Sequence, residues 1–211
     1  MNYKRFPLGA LWTNGYLFWD EATREAFFID PGGDTTDVKN FLEANNLKLT
    51  MVLLTHGHID HVAGIHEFVP LVGDNIYIGS KDAFMLRHPS RELQALLRVH
   101  CDGIENFKEV DEGRVIDFPG YTIKVMETPG HTEGSVCYFI TDSEGHKILA
   151  VGDTLFAQSV GRTDLEGGDQ LKLEVSLRRL AELSDGLHVL PGHGPDTSIG
   201  EEREMNPYWP R

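Results

Sequence analysis

The sequence has few of the features that mark a secreted or membrane protein. Its 211 residues include only two cysteines, Cys101 and Cys137, which are far apart and in no paired spacing. A disulfide framework is therefore not expected, and a reducing compartment fits this composition. No run approaches the roughly 18 apolar residues that a membrane-spanning helix requires. The apolar stretch near the start is broken by Pro7 and Gly15, so we expect no signal peptide and predict a soluble, cytoplasmic protein.

Basic residues are also scarce. The chain has 19 Lys and Arg residues against 33 Asp and Glu residues, which gives a formal net charge of −14. Such a charge repels phosphate backbones, so nucleic acid is not an expected partner. Bound metal cations would invert the potential locally, and we attribute the overall charge to solubility. The length fits one domain over residues 1–211.

Short apolar runs alternate with helical patterns along the chain. Helices are predicted to begin at Thr35 or Thr36, to occupy residues 81–100, and to span residues 170–183. Strands are predicted at residues 16–19, 26–30, 51–55, 76–79, 121–128, 135–140, 147–153 and 187–193. Two halves, each of strands followed by a helix, favour an α/β sandwich of sheets and helices.

The densest group of metal-binding side chains is HGHIDH, residues 56–61, directly after the predicted strand 51–55. A loop that leaves the end of a buried strand is where α/β folds place ligands. His56 and His58 are two residues apart and can point the same way in an extended loop. Asp60 and His61 are neighbours, so we expect their side chains to diverge. The stretch therefore predicts two adjacent metal positions.

Three further residues can complete these two positions. They are His131 in ETPGHTEGS, Asp153 in AVGDTLF and His193 in LPGHGPDT, and each follows a predicted strand and a glycine. Glycine permits the turn and lets the backbone pass close to an ion. Zinc and iron prefer imidazole and carboxylate ligands of this kind. One carboxylate can bridge two ions, and Asp153 is the natural candidate.

The role of Asp30, in IDPGG, stays open between two interpretations. It either supports the metal loop by accepting a hydrogen bond from a ligand or only forms the turn. Isolated histidines without such a context are expected to be polar surface residues; these are His66, His88, His100, His146 and His188.

With HGHIDH followed by His131, Asp153 and His193, the sequence resembles the metallo-β-lactamase superfamily. The resemblance covers nearly the whole chain, from TNGYLF and IDPGG to the C-terminus. It implies a four-layer αββα sandwich with two divalent metal ions at one edge, zinc first and iron or manganese as alternatives. It also implies that Asp153 bridges the two ions. The implied ligand sets are His56, His58 and His131 for one ion and Asp60, His61 and His193 for the other.

Within the superfamily, residues 152–169 (GDTLFAQSVGRTDLEGGD) and 197–207 (TSIGEEREMNP) are similar to the short glyoxalase II-like, or hydroxyacylglutathione hydrolase-like, enzymes. This similarity implies hydrolysis of a small acyl-thiol, S-lactoylglutathione or a related thioester, by a hydroxide held between the metals and oriented by Asp60. Arg162 either binds a substrate carboxylate or forms an ion pair with Asp164. The two cysteines stand in no motif position, which disfavours lactam hydrolysis. Because the chain ends soon after His193, no separate C-terminal glutathione-binding helical domain is expected.

Three other functions rank below thioester hydrolysis for this sequence. GRTD and the closing EExxxNP pattern also resemble persulfide dioxygenases, in which one iron is bound by the equivalents of His56, His131 and Asp153. A non-catalytic metal-binding protein is disfavoured, since a structural zinc site is closed by four protein ligands, whereas seven ligands leave a position for water. Phosphodiester cleavage is disfavoured by the net charge and by the lack of a basic patch with interleaved aromatic residues.

Overall fold

Two six-stranded sheets form the centre of the computed structural model, which describes residues 1–210. The first sheet contains, in spatial order, β1 Tyr3–Leu8, β2 Thr13–Trp19, β3 Glu25–Ile29, β4 Lys48–Leu53, β5 Ile76–Gly79 and β6 Lys108–Val110. The second half contributes β7 Val115–Phe118, β8 Tyr121–Glu127, β9 Val136–Asp142, β10 Lys147–Gly152, β11 Leu155–Phe156, β12 Ser159–Val160, β13 His188–Pro191 and β14 Thr197–Ser198. In the second sheet the order is β14-β13-β10-β9-β8-β7, while β11 and β12 form a separate hairpin.

Helices cover the outer face of each sheet. Those over the first sheet are α1 Thr36–Ala44, α2 Ile59–Val62, α3 Val69–Val72, α4 Ala83–Arg87 and α5 Arg91–Leu97. Those over the second sheet are α6 Gln170–Ala181 and α7 Ile199–Met205. In residues 1–210, no helix combines the length and the apolar character needed to cross a membrane.

Alternating side chains of the strands separate three apolar cores. In β3, Phe27 and Ile29 pack between the two sheets, whereas Ala26 and Phe28 pack under the helices of the first sheet. Successive side chains of a strand point to opposite faces, and here both faces are covered, so the four buried residues 26–29 are all apolar. A third core lies between the second sheet and α6. The predicted four-layer αββα sandwich is confirmed.

The strands that lead into the predicted metal loops end at a common edge. Strands β8, β10 and β13 run in the same direction, because β8 and β10 are each antiparallel to β9 and β10 is parallel to β13. Their carboxyl ends therefore lie side by side. The chain leaving β4 is joined to this edge by a 2.8 Å hydrogen bond from the Val136 amide to the Thr55 carbonyl. Loops from both sheets thus meet at one place.

Two groups of predicted elements need correction. The helical pattern at residues 81–100 forms two short helices, α4 and α5, separated at Pro89. Proline lacks an amide hydrogen and restrains the residue before it, so one continuous helix is excluded. The sequence pattern also missed β1, β6, β7 and β14, the four strands at the sheet edges. Edge strands have one unpaired side and tolerate residues such as Pro7, so their apolar signal is weak.

Candidate metal centre

Loops from both sheets bring the seven predicted metal-binding residues together at one edge of the sandwich. One loop follows β4 and continues into α2, and the others follow β8, β10 and β13. The residues on these loops are His56, His58, Asp60, His61, His131, Asp153 and His193.

The first group consists of three buried imidazoles, those of His56, His58 and His131. The Nδ1 atom of His58 lies 3.1 Å from Nε2 of His56 and 2.8 Å from Nε2 of His131. Three ring nitrogens therefore face one point, as the spacing of His56 and His58 predicts. Burial lowers the pKa of His58 to about 4, with His131 adding to the effect. The pKa of His56 is lowered well below its ordinary value, first by burial and then by the neighbouring histidines. Both rings are therefore neutral and able to bind a cation.

The second group consists of Asp60, His61 and His193. Oδ2 of Asp60 lies 3.3 Å from Nε2 of His193 and 3.7 Å from Nε2 of His61. The two histidine Nε2 atoms are 3.4 Å apart. The expectation that Asp60 and His61 diverge was wrong, because both lie in the single turn of α2 and turn toward His193. A third set, His56, His61 and Asp153, links this group to the first, and two adjacent metal positions stay a prediction.

Asp153 lies between the groups. Its Oδ1 is 3.3 Å from Nε2 of His61, and its Oδ2 is 3.5 Å from Nε2 of both His131 and His193. Oδ1 is buried and has no hydrogen-bond partner, which is costly for a carboxylate. A Cβ atom at Gly192 would collide with the same oxygen, so the glycine keeps the space beside it open. These observations and the imidazole–carboxylate donor set fit two divalent ions in contact with Asp153.

Negative charge is concentrated around His61. Burial disfavours a charged imidazole, but Asp153, Asp30 and Asp60 together hold the pKa of His61 well above its ordinary value. Burial likewise raises the pKa of Asp60, but His61 and His193 more than offset it and hold that pKa below the usual range. A divalent cation would neutralise this local excess of carboxylate charge.

The outward-facing nitrogens of four imidazoles are fixed by hydrogen bonds. Nδ1 of His131 lies 2.7 Å from the Arg162 carbonyl, and Nδ1 of His193 lies 3.2 Å from the Leu11 carbonyl. Such contacts orient a ring and fix which nitrogen is free to bind a metal. Two further contacts join Nδ1 of His56 to Thr55 Oγ1 at 3.1 Å and Nδ1 of His61 to Asp30 Oδ2 at 2.9 Å.

Asp30 both forms the turn after β3 and supports the loop that carries the candidate ligands. Its φ of 54° is a left-handed conformation that turns the chain after β3. Its buried carboxylate also accepts hydrogen bonds from the Thr55 amide at 2.8 Å and the Thr55 hydroxyl at 2.6 Å, besides contacting His61. The turn therefore places the carboxylate directly behind the metal loop.

Asp82, a buried carboxylate between two of the loops, was not predicted from the sequence. It accepts hydrogen bonds from the Gly57 amide at 2.9 Å, the Gly134 amide at 2.7 Å and the Thr132 hydroxyl at 2.7 Å. Gly57 separates His56 from His58, and residues 132–134 directly follow His131. Asp82 thus holds together the two loops that carry the first group. A lone aspartate in the predicted helix 81–100 gave no signal for this contact.

Replacing Asp82 with alanine is expected to lower the free energy of unfolding by roughly 2–4 kcal/mol, because three buried donors lose their acceptor. Chemical denaturation of the metal-loaded protein measures this change. Asp102→Ala is the control, since that carboxylate is 77% exposed and its pair with His100 is expected to contribute little. Equal stability of the two variants would show that Asp82 does not hold the loops.

Asn14 is a second supporting residue that the sequence did not predict. Its buried amide donates to the carbonyls of Pro191 and Gly194 at 3.0 and 2.9 Å, on both sides of His193. Its backbone amide also donates to the Gly192 carbonyl at 2.7 Å. The start of β2 therefore fixes the turn that presents His193. The motif TNGYLF contained this asparagine, but only the fold reveals its partners.

A cleft of about 700 Å³ opens beside the metal centre. Arg162 lies on its wall, and its guanidinium makes two 2.7 Å hydrogen bonds to Asp164. Both side chains are more than half exposed, so the ion pair is weak and can exchange partners. Cys101 and Cys137 are buried elsewhere and belong to neither group.

Nearly the whole chain is similar to proteins of one superfamily. The model of the metallo-β-lactamase superfamily matches residues 9–193. Hydroxyacylglutathione hydrolase GloC of Haemophilus influenzae is 32% identical and covers 99% of this chain and 98% of its own. The crystal structure of BLEG-1 B3 metallo-β-lactamase has a TM-score of 0.87 at 32% identity, with 98% and 99% coverage. TTHA1623 in a di-iron-bound form has a TM-score of 0.85 at 31% identity, with 97% and 99% coverage. The chain therefore belongs to the metallo-β-lactamase superfamily.

Proposed function

We propose that this protein hydrolyses a thioester at a centre of two divalent metal ions. The observation that carries the proposal is Asp153, whose carboxylate reaches both groups of imidazoles and leaves one buried oxygen without a hydrogen bond. A carboxylate in this position suits a bridge between two cations better than a hydrogen-bonded role in the core.

The residues that would hold the ions are those of the two groups, with Asp153 shared. When bound, the ions supply a water of lowered pKa and Lewis-acid stabilisation for negative charge that develops on the acyl oxygen. Zinc is the proposed cofactor, and iron is supported by the similar structure of TTHA1623 in its di-iron-bound form.

The chain's own side chains orient the reactants. The Asp60 carboxylate is 15% exposed and borders the cleft, so it can accept a hydrogen bond from the attacking water and direct its lone pair. A leaving thiol with an ordinary pKa of about 8.5 departs as a thiolate without a proton donor. This chemistry suits a centre whose His and Asp side chains would all be taken up as metal ligands or by the contacts that support those ligands.

Arg162 is proposed to bind the anionic end of the thiol. It lies on the cleft wall, and only a weak surface pair with Asp164 has to open before the guanidinium contacts a carboxylate. A small thiol such as glutathione carries carboxylates of this kind. The net charge of −14 supports a small-molecule substrate over nucleic acid.

Thiol release from S-lactoylglutathione and S-acetylglutathione by the zinc-loaded protein tests the proposal. Activity is expected to be lost with a chelator and restored by zinc, while the oxygen ester of the same acid is expected to react far more slowly because its leaving group is a stronger base. Release no faster than in buffer with these two thioesters and with their butanoyl to octanoyl analogues, after loading with zinc, iron or manganese, would contradict it.

Two other activities are to be measured on the same protein preparations. The 32% identity to BLEG-1 B3 metallo-β-lactamase favours β-lactam hydrolysis as a second candidate, tested with a penicillin and a cephalosporin. The resemblance of the GRTD segment to persulfide dioxygenases is tested as oxygen uptake with glutathione persulfide by the iron-loaded protein. Efficient turnover of either substrate without thioester hydrolysis would replace the proposed function.

A further inference from the structure

The cleft beside the metal centre has an apolar wall that the proposed chemistry does not use. Helix α5 contributes Leu93, Leu96 and Leu97 to this wall. Their spacing of i, i+3 and i+4 places them on one face of the helix. None of the residues of α5 is buried, and Leu96 is 74% exposed. Leu93 and Leu97 are half-buried and pack partly against the core under the first sheet, while Leu96 extends into the cleft. The sides of these leucines that remain open form an apolar surface beside the candidate metal centre.

Other elements extend the same surface. Ile59 of α2, Phe156 of the β11–β12 hairpin and Leu165 of the following loop also line the cleft. Outside the seven metal-binding candidates, Arg162 is the one charged side chain among the described residues that line it. The cleft therefore combines one basic side chain, that of Arg162, with a large apolar area.

We infer that the acyl group of the substrate is apolar and longer than lactoyl, such as hexanoyl or octanoyl, and that it packs on the leucines of α5. The inference rests on the proposed thioester hydrolysis. Arg162 matches the anionic thiol, which leaves the leucine wall for the acyl chain. A lactoyl group has one methyl group to offer this wall, and its hydroxyl would face leucines without a hydrogen-bond partner.

The number of methylene groups that this surface can cover sets the expected gain in kcat/KM. Each methylene that leaves water for an apolar contact favours the bound state, so kcat/KM is expected to rise roughly two- to fourfold per added carbon until the wall is covered. Acetyl and lactoyl thioesters would then be the slowest members of a series with a constant thiol.

The test compares acetyl, lactoyl, butanoyl, hexanoyl and octanoyl thioesters of glutathione with the zinc-loaded wild type, Leu96→Gln and Leu171→Gln. Leu171 lies on α6, outside the cleft, and at 73% exposure it matches Leu96. Leu96→Gln is expected to lower kcat/KM for the octanoyl thioester roughly fivefold and to leave the acetyl value within about twofold. Leu171→Gln is expected to keep the wild-type profile. A flat profile, or an equal loss on every substrate, would overturn the inference.

A binding measurement separates this inference from the proposed function. Calorimetry of the zinc-loaded protein with acetate, hexanoate and octanoate is expected to show affinity rising with chain length, and rising less in Leu96→Gln. If affinity rises but no thioester is hydrolysed, the proposed function fails and the apolar site stands. If thioesters are hydrolysed and affinity is flat, the inference alone fails. It also fails if Leu96→Gln shifts the sedimentation of the protein from an oligomer to a monomer, since a second copy would then cover the wall.

Discussion

Replacing Asp153 with alanine is expected to remove bound metal and abolish turnover. The carboxylate contacts His61, His131 and His193, so its loss affects both groups at once. Mutation of an outer partner of a metal ligand alone typically lowers affinity 10- to 100-fold. The loss in kcat/KM for a shared ligand is therefore expected to exceed about 10²-fold. Metal analysis and thiol release on the same preparations measure both effects.

Two comparisons make the Asp153 result specific. Asp185→Ala removes a carboxylate that is 67% exposed and ion-paired with Arg203, and it is expected to keep full metal content and activity. Asp153→Asn keeps the volume of the side chain and removes its charge, so it is expected to lose activity with the fold intact. An Asp153→Ala protein that retains two ions and normal turnover would refute the bridging role.

Asp30→Asn is expected to weaken metal binding roughly 10- to 100-fold without removing a predicted ligand. The native carboxylate accepts hydrogen bonds from Thr55 and contacts Nδ1 of His61. An amide has only one acceptor oxygen, so either Thr55 or His61 then faces an NH₂ group. The ion held by Asp60, His61 and His193 is expected to be weakened more than the other. Titration with a competing chelator measures the two affinities.

The control for this prediction is Asp34→Asn, which changes an exposed carboxylate four residues away that accepts hydrogen bonds from Thr36. Its metal affinities are expected to equal those of the wild type. If Asp30→Asn also binds both ions like the wild type, Asp30 serves the turn alone, and its contact with His61 does not contribute to metal affinity.

The fold was predictable from sequence where both faces of a strand are buried. Residues 51–54, at the end of β4, are apolar at every position, and helices such as α6 have a clear apolar period. The edge strands were not predictable, because half of their hydrogen-bonding groups are unpaired and residues such as Lys4 and Pro7 are tolerated. The break at Pro89 was visible in the sequence, but its effect on residues 81–100 was underestimated.

The meeting of the seven candidate metal-binding side chains at one edge was predictable, because the loops that carry them each follow a strand. The residues that support them were harder to identify. Asp82 and Asn14 act through backbone amides and carbonyls that are distant in sequence, as in the 2.7 Å bond from the Gly134 amide to Asp82. The divergence expected for Asp60 and His61 failed because a single helical turn, not an extended loop, holds them. The motifs identify the candidate residues, whereas the direction of their side chains and the residues that support them depend on the tertiary fold.

The number of metal ions per chain tests the central claim most directly. Elemental analysis of protein purified without chelator and without added metal gives this number together with the identity of the metal. We expect close to two divalent ions per chain, zinc or a mixture with iron, and loss of both in Asp153→Ala. Close to one iron per chain, together with oxygen uptake in the presence of glutathione persulfide, would contradict a dinuclear hydrolase.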